Sequence, residues 1–332
     1  MPTLTRLICA LSALIAATLM PSAASAACTT ATASTSLGSA SSYAVGTTQQ
    51  QGSGSAGLQC DILLAALTAH YIALRVDAST FLLTGPTGQT IAYTASLTSG
   101  GTPLTVGNFQ NLSSTSLVSL FAGTNNSIPI YFRTTATAGL HAGTYSGFLD
   151  MRWYHSVCSL GVLACLAYSN SPGLVRPLLT PPTNWGSGVA VRVNVELIVE
   201  KDCVITAPNA GFGSAPLAGS FNPITRTILI RCSAGASYTV GLDDGDYPDN
   251  GVRRMHSSGN YLRYEIYKST TSPDRWGSVG SARRSSGDAD TNPNIHDSVT
   301  TQGFGYRAAI LPGQVTPPPG LYTDTILIDV AF

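Results

Sequence analysis

The chain of 332 residues contains seven cysteines, and the spacing between them limits the chemistry that they can carry out. Thiolates that bind zinc or exchange electrons usually occur as C-x-x-C pairs, and no two cysteines here have that spacing. Cys9 lies in a segment with the features of an export signal. The other six are Cys28, Cys60, Cys158, Cys165, Cys203 and Cys232. Six cysteines in an exported chain predict structural disulfides, and the spacing favours the sequential pairs 28–60, 158–165 and 203–232, although other pairings stay open.

Other residue types that carry catalysis or bind metals occur without a recognisable motif. The five histidines are scattered, and no G-x-S-x-G, P-loop or H-E-x-x-H sequence is present. The acidic stretch from Asp243 to Asp246 lacks the spacing of a calcium-binding loop and predicts turns. Formal net charge is zero with 10% charged residues, so no basic patch for nucleic acid exists. We therefore predict a protein that is not an enzyme, with no cofactor, no metal site and no nucleic-acid partner.

The first 26 residues predict a cleaved export signal. Arg6 supplies a positive start, Leu7 to Leu19 form an apolar run, and Ala24-Ser25-Ala26 is a small-residue cleavage motif. The run is too short to span a membrane, and no later stretch approaches the required length. The mature chain should begin at Ala27.

Strand patterns dominate the mature sequence. Val189 to Val199 alternates apolar and polar residues with period two, and Thr325 to Phe332 does much the same. Further strands are predicted at Tyr71 to Val76, Ile128 to Phe132 and Thr227 to Ile230. Gly, Pro, Asn and Ser clusters separate the strands at short intervals, which is typical of a β-sandwich.

The two halves of the mature chain repeat one another. Cys28 precedes an L-G-S motif by the same interval at which Cys203 precedes an F-G-S motif, and Gly143-x-Tyr145 is repeated as Gly320-x-Tyr322. We therefore predict an all-β protein of two tandem immunoglobulin-like antiparallel β-sandwich domains, residues 27–199 and 200–332. The first domain is almost uncharged, with five Arg or Lys and four acidic residues from Ala27 to Val199.

The second half contains an ordered set of motifs. They include Cys203-Val204-Ile205, Phe212-Gly213, Ile230-x-Cys232-Ser233, Leu262-x-Tyr264-x-Ile266-Tyr267 and Gly320-x-Tyr322-x-Asp324. In these residues this half resembles the spore coat protein U domain, the pilin fold of archaic, Csu-type chaperone–usher pili. A divergent first domain before such a pilin domain is similar to the two-domain tip adhesins of these pili. The resemblance implies a periplasmic chaperone and an outer-membrane usher as partners.

The second domain is expected to lack its last strand. The first domain has Val189 to Val199 as strand G, whereas the second ends on the strand that follows Tyr322. An apolar groove would remain, lined by Val204, Ile205, Ile326, Ile328, Val330 and Phe332. An open groove with unpaired backbone edges aggregates unless another chain fills it, and the resemblance implies that the next pilin subunit donates a strand.

The position in the fibre is predicted from the mature N-terminus. Cleavage after Ala26 places Cys28 at the second mature residue, which leaves no extension that could act as a donor strand. A subunit that accepts a strand and donates none is expected at the tip of the pilus, after export through the periplasm to the cell surface.

Two loops of the first domain are unusually apolar, and we expect both at the distal tip. These predicted surface-binding loops contain Ile62, Leu63, Leu64, Leu67, Leu160, Val162, Leu163 and Leu166, and the second is closed by Cys158 and Cys165. Apolar residues in loops are often part of the core, so the alternative is that these side chains cap the sandwich. Leu117 to Phe121 is a candidate third loop that could equally be a strand.

Three functions are consistent with this organisation. The first is a tip adhesin whose apolar loops bind abiotic or host surfaces and promote biofilm formation. The second is a structural pilus or coat subunit without a ligand. The third is a lectin-like tip that binds glycan, for which Trp153, Tyr154 and Trp185 are candidate contacts.

Overall fold

The computed structural model describes residues 28–61, 68–160, 165–177 and 180–332, and the chain is almost entirely β within these ranges. We call the strands up to Glu200 the first unit and those from Cys203 the second unit. None of the helices in the described ranges has the length and apolar character needed to cross a bilayer.

The first unit contains eleven strands among its described residues. They are β1 (Cys28–Thr30), β2 (Ala33–Ser41), β3 (Gln51–Cys60), β4 (Tyr71–Ala78), β5 (Leu82–Thr84), β6 (Thr90–Ser96), β7 (Phe109–Asn111), β8 (Ser127–Thr134), β9 (Gly143–Leu160), β10 (Ala167–Asn170) and β11 (Val189–Glu200). Two short helices, α1 (Ser42–Thr47) and α2 (Leu117–Leu120), and a 3-10 turn (Thr124–Asn126) connect them.

These strands curl into one continuous sheet around a core. The hydrogen-bonded order is β1-β3-β8-β6-β5-β9-β11-β2, and β9 also pairs with β4 and β10. In β11 every second residue from Val191 to Val199 is buried, and the residues between them face outward. The period-two prediction for this strand is therefore confirmed, because alternate side chains of a strand point to opposite faces.

The second unit contains eight strands in two sheets. They are β12 (Cys203–Thr206), β13 (Ile224–Cys232), β14 (Thr239–Leu242), β15 (Arg253–Ser257), β16 (Asn260–Tyr267), β17 (Arg284–Ser285), β18 (Gln302–Ile310) and β19 (Ile328–Ala331), with 3-10 turns at Ala218–Ser220, Gly280–Ala282 and Ser286–Asp288. One sheet has the order β12-β13-β18-β16-β15, and the other has the order β17-β14-β19. The fully buried Trp276 lies in the core between them.

Corresponding features of the two units confirm the sequence repeat. Cys28 faces Cys60 across β1 and β3, and Cys203 faces Cys232 across β12 and β13; both pairs form disulfides, as do Cys158 and Cys165. The Tyr145 hydroxyl donates a hydrogen bond to the His141 carbonyl at 2.9 Å, and the Tyr322 hydroxyl donates to the Pro318 carbonyl at 2.8 Å. Each tyrosine thus fixes the same corner at the entry of its strand.

Two strand predictions need correction. The last strand begins at Ile328 rather than Thr325, because the Leu327 N–H donates to the Asp243 side chain at 2.9 Å instead of joining the ladder. Leu117 to Phe121 is neither a strand nor an exposed loop, since Leu117 and Leu120 lie in helix α2 and are buried together with Phe121. Ser116 caps this helix by accepting the Ser119 N–H, which is how a short serine-flanked apolar segment starts a helix.

Candidate functional site

The roots of the two predicted apolar loops lie side by side at one end of the first unit. Strand β4 starts at Tyr71, immediately after the first loop, and Tyr71 pairs with Ser156 near the end of β9. Strand β9 begins at Gly143, next to the end of β11. At about 3.3 Å per residue, Ser156 lies roughly 40 Å along β9 from Gly143. The described residues that flank the two loops therefore lie at the end of the sandwich opposite the link to the second unit.

Most of the predicted loop residues lie outside the described part of the chain. These are Ile62, Leu63, Leu64, Leu67, Val162 and Leu163. Leu160 is the last residue of β9, and Leu166, next to the disulfide, has 78% of its surface exposed. The surface contact of these loops remains a prediction.

Arg176 connects the roots of both loops. Its guanidinium carbon lies 4.5 Å from the centre of the Tyr71 ring and 4.1 Å from the centre of the Tyr168 ring. Its Nη1 donates to the Ser156 hydroxyl at 3.2 Å, and its Nε donates to the Thr180 carbonyl at 3.1 Å. Tyr71 follows the first loop and Tyr168 follows the disulfide-closed loop. One cation stacked between the two rings therefore holds the two loop roots together.

Replacing Arg176 by alanine should loosen both loops without unfolding the protein. Stacking of this kind contributes on the order of 1 kcal/mol per ring at a partly exposed site, so stability should fall by about 1–2 kcal/mol. We expect proteolytic cleavage near residues 158–188 to accelerate and surface attachment to decrease at normal fibre yield. The matched control is Arg192→Ala, because Arg192 lies 4.4 Å from the Phe148 ring, away from the loops. Equal effects of the two variants would show that Arg176 has no special role.

The segment before α2 contacts the residues that follow the first loop. His70 Nε2 lies 2.8 Å from the Thr115 carbonyl, and the Ile72 N–H donates to the Ser113 hydroxyl at 3.2 Å. Val118 is the apolar side chain of α2 that is exposed. The predicted third loop thus offers one exposed apolar residue, Val118, and its other apolar side chains belong to the core.

His155 is buried at the same end of the first unit. By strand alternation it shares the inner face of β9 with Trp153 and Val157, and its Nδ1 has no hydrogen-bond partner. Burial lowers the pKa of His155 from its ordinary value of 6.5 to about 4, because the charged imidazolium is poorly solvated there. His155 is therefore neutral in the folded protein at neutral pH.

The folded protein should lose stability as the pH falls from 6.5 to 4. In that window the unfolded chain binds a proton at His155 and the folded chain does not, so the free energy of unfolding decreases by up to about 3 kcal/mol. His155→Phe should flatten the pH dependence of chemical denaturation within this window. An unaltered slope in the His155 variant would contradict this account.

The aromatic residues proposed for glycan contact are mostly internal. Trp153 is fully buried and its Nε1–H donates to the Ala56 carbonyl at 2.8 Å. Tyr154 is also buried and packs against Trp185 and Phe109, with ring centres 6.4 Å and 5.4 Å away. Trp153 therefore belongs to the core, and Trp185 covers Tyr154 on the outer face of the sheet.

A free strand edge in the second unit is the second part of the candidate site. In the first unit β9 pairs with β4 on one side and β11 on the other. The corresponding strand β19 pairs with β14, and no second neighbour occurs among the described strands. Ile326, Ile328 and Val330 are partly buried against the core, and Phe332 is exposed. These are the side chains that a further strand beside β19 would cover.

Comparison with the first unit locates the opposite wall of the groove beside β19. There β11 pairs in parallel with β2, which contains Leu37 and Gly38. The matching segment around Phe212 and Gly213 forms no ladder, although both glycines keep a left-handed backbone, with φ of 84° and 79°. Phe212 packs on Tyr264 with ring centres 6.3 Å apart. Phe212 was not among the predicted wall residues, although the repeated L-G-S and F-G-S motifs align it with Leu37 of β2.

Val204 and Ile205, the residues predicted for that wall, lie on β12, in the sheet that does not contain β19. Both are partly exposed on β12, which pairs with β13. The counterpart of β12 in the first unit is β1, which pairs with β3 and not with β11. Val204 and Ile205 therefore do not correspond to the residues of β2 that pair with β11 in the first unit.

The acidic residues of the second unit act as acceptors in turns. Asp243 accepts the N–H of Gly245 at 3.1 Å, and Asp324 accepts the N–H of Asp246 at 2.9 Å and the Tyr264 hydroxyl at 2.6 Å. No group of three or more metal-ligating residues occurs in the described ranges. The carboxylates thus stabilise the loop next to β19.

Comparison with known proteins shows the family. Residues 12–152 and 189–329 each match the Spore Coat Protein U domain, so the chain belongs to this family and contains two copies of its domain. The second match begins at residue 189, the first residue of β11. Strand β11 is therefore part of the second copy by sequence and part of the first unit by packing.

Solved structures agree with this assignment. The chain is similar to a chain of the chaperone–tip adhesion subunit pre-assembly complex CsuC–CsuE, from archaic chaperone–usher Csu pili of Acinetobacter baumannii. The two share 31% identity over 92% of this chain and 100% of that chain, with a TM-score of 0.72.

More distant similarity exists to CfaE, the adhesive subunit of CFA/I fimbria of enterotoxigenic Escherichia coli. Identity there is 13% over 54% of this chain and 50% of that chain, and the TM-score of 0.29 supports no inference. No curated protein matches the sequence.

Proposed function

We propose that this protein is the tip adhesin of an archaic chaperone–usher pilus, joined to the fibre by a strand that the next subunit donates. The observation that carries the proposal is the contrast between β9 and β19. Strand β11 covers the second edge of β9, so the first unit is complete within the chain. The equivalent edge of β19 has no partner among the described strands.

A donated strand would complete the second unit in the way that β11 completes the first. It would run antiparallel to β19 and parallel to the segment around Phe212, as β11 does with β9 and β2. It would pair the free backbone groups of β19 and bury Ile326, Ile328 and Val330. A periplasmic chaperone would occupy this groove before assembly, and an outer-membrane usher would exchange it for the next subunit during export to the cell surface. The similarity to a chaperone-bound tip adhesion subunit supports these partners.

The apolar loops at the other end would bind the surface. Their roots lie roughly 40 Å from the link to the second unit, at the outermost end of a tip subunit. The disulfide between Cys158 and Cys165 closes one loop, and Arg176 ties both roots together. Loops held in this way lose little conformational entropy on binding, which favours contact with apolar abiotic or host surfaces.

Gold labelling of intact fibres tests the position in the pilus. An antibody against the first unit should label the free ends of the fibres and leave the shafts unlabelled. Labels spaced along the shaft would contradict the tip assignment and favour the alternative of a structural subunit without a ligand.

A glycan-binding tip is the second candidate, favoured by a polar cleft on the side of the first unit. The cleft has a volume of about 270 Å³ and is lined by Tyr131, Arg133, Thr94, Ser96 and Gln51, among others. An aromatic ring among hydroxyl, amide and guanidinium groups suits a sugar. This candidate predicts attachment that a soluble glycan inhibits and that substitutions in the apolar loops leave intact.

A further inference from the structure

The chain already contains one complete joint between two units of this family. Strand β11 belongs to the second family copy by sequence and fills the edge of β9 in the first unit. It continues through Lys201 and Asp202 into β12. The first and second units therefore stand to each other as an acceptor and its donor within a single chain.

The second unit also contacts the first unit outside β11, at the end of the first unit where β11 leads into the second. The hydroxyls of Ser42 and Ser233 lie 2.6 Å apart in a buried hydrogen bond, and His141 forms a parallel β-bridge with Ala234. The Tyr43 ring lies 5.3 Å from the guanidinium of Arg231. This end of the acceptor is thus seated on the donor.

A glycine of the donor allows this close approach. A side chain on Gly235 would place its Cβ 2.6 Å from the His141 ring, and the backbone there is left-handed, with φ of 68°. The turn that follows Cys232 in the donor is therefore small enough to contact the acceptor end directly.

The corresponding end of the second unit is exposed and apolar. When the L-G-S and F-G-S motifs are aligned, Leu217 corresponds to Ser42 of the first unit. When Gly143-x-Tyr145 is aligned with Gly320-x-Tyr322, Leu321 corresponds to Thr144. Leu217, Val315 and Leu321 have 58%, 90% and 82% of their surface exposed. The Ala218 N–H donates to the Thr316 hydroxyl at 3.1 Å, which brings the two segments to the same end of the unit.

We propose that Leu217, Val315 and Leu321 form a docking surface for the folded body of the next subunit, in addition to the groove that takes its strand. This inference rests on the proposed function, because the same subunit supplies both contacts. The occupant is another chain of this domain family. It would contact the surface through the turn that follows the cysteine corresponding to Cys232. The joint inside the present chain supports that choice, since the matching end of the first unit is covered by the matching turn, Ser233 to Gly235. Leu217 and Leu321 replace the polar Ser42 and Thr144 of the first unit, so the partner's turn should present apolar or small residues.

Photo-cross-linking in assembled fibres tests the docking surface. A benzophenone amino acid is placed separately at Leu321, at Val315, at Leu327 beside the free edge of β19, and at the control position Val106. All four side chains are at least half exposed, so replacement should not disturb folding. Val106 is bridged to Val76 on the side of the first unit, far from the joint. We expect Leu321 and Val315 to give the same product as Leu327, larger than the mature chain by one pilin subunit.

The outcomes separate the two proposals. A product from Leu327 with none above the Val106 level from Leu321 or Val315 would overturn the docking surface and leave donor-strand joining intact. No pilin product from Leu327 would overturn donor-strand joining and the docking surface with it. A product from Leu321 or Val315 that contains a second copy of this chain would also overturn the proposal, because the expected partner is the next pilin subunit.

Discussion

Replacing Leu64 and Val162 by aspartate is expected to abolish attachment of fibres to plastic while secretion and fibre number stay near wild type. Each apolar side chain that is buried against a surface contributes roughly 1.5–3 kcal/mol, and a charged carboxylate at the contact opposes that burial. Many fibres act together on one cell, so a modest loss per tip becomes a large loss of adhesion. Attachment of cells to polystyrene and the yield of surface fibres are the two measurements.

The same two measurements distinguish a surface-binding role of Leu64 and Val162 from a role in the core. If these side chains cap the sandwich, an unpaired buried charge should stop secretion, and fibre yield should fall together with attachment. Val106→Asp is the matched control, because Val106 is exposed on the side of the first unit. Normal attachment with normal yield in the double variant would place adhesion elsewhere, and the polar cleft at Tyr131 and Arg133 would be the next candidate.

Supplying the missing strand in the same chain is expected to rescue the second unit from dependence on a chaperone. A copy of Val189–Val199, attached after Phe332 by a short flexible linker, could turn back and run antiparallel to β19. Burial of several alternate apolar side chains should stabilise the unit by several kcal/mol and raise its unfolding temperature by on the order of 10 °C or more. Soluble yield without chaperone and thermal unfolding of the mature chain measure the effect.

The control for this experiment is an added copy with aspartate at the positions of Val193 and Val195. That copy keeps the length and the linker but cannot enter an apolar groove, so yield and stability should match the unmodified chain. The account is wrong if the unmodified mature chain is already a soluble monomer whose second unit unfolds cooperatively without a chaperone.

Much of this organisation is readable from sequence because the relevant patterns are local. Strand β11 alternates buried and exposed residues from Val191 to Glu200, as its sequence pattern predicts. The disulfides follow from the repeat, since Cys28 and Cys203 occupy the same position in two copies of one topology. Patterns of this kind need no knowledge of distant contacts.

Features that depend on distant contacts were missed. Arg176 lies in a proline-containing connection without periodicity, and its role becomes visible when Tyr71, far away in sequence, is placed beside Tyr168. Phe212 belongs to a segment that forms no ladder, so no strand pattern marks it, and its position becomes visible when it is aligned with Leu37 of β2. Helix α2 was ambiguous because a five-residue apolar segment fits a strand, a loop or a buried turn equally well.

The most direct test of the central claim is a cryo-electron microscopy structure of the fibre end. It should show the first unit outermost and a strand of the next subunit antiparallel to Ile328–Ala331, on the edge opposite β14. That strand should cover Ile326, Ile328 and Val330 and run beside Phe212. An empty edge at β19, or a strand there that comes from this same chain, would contradict the account.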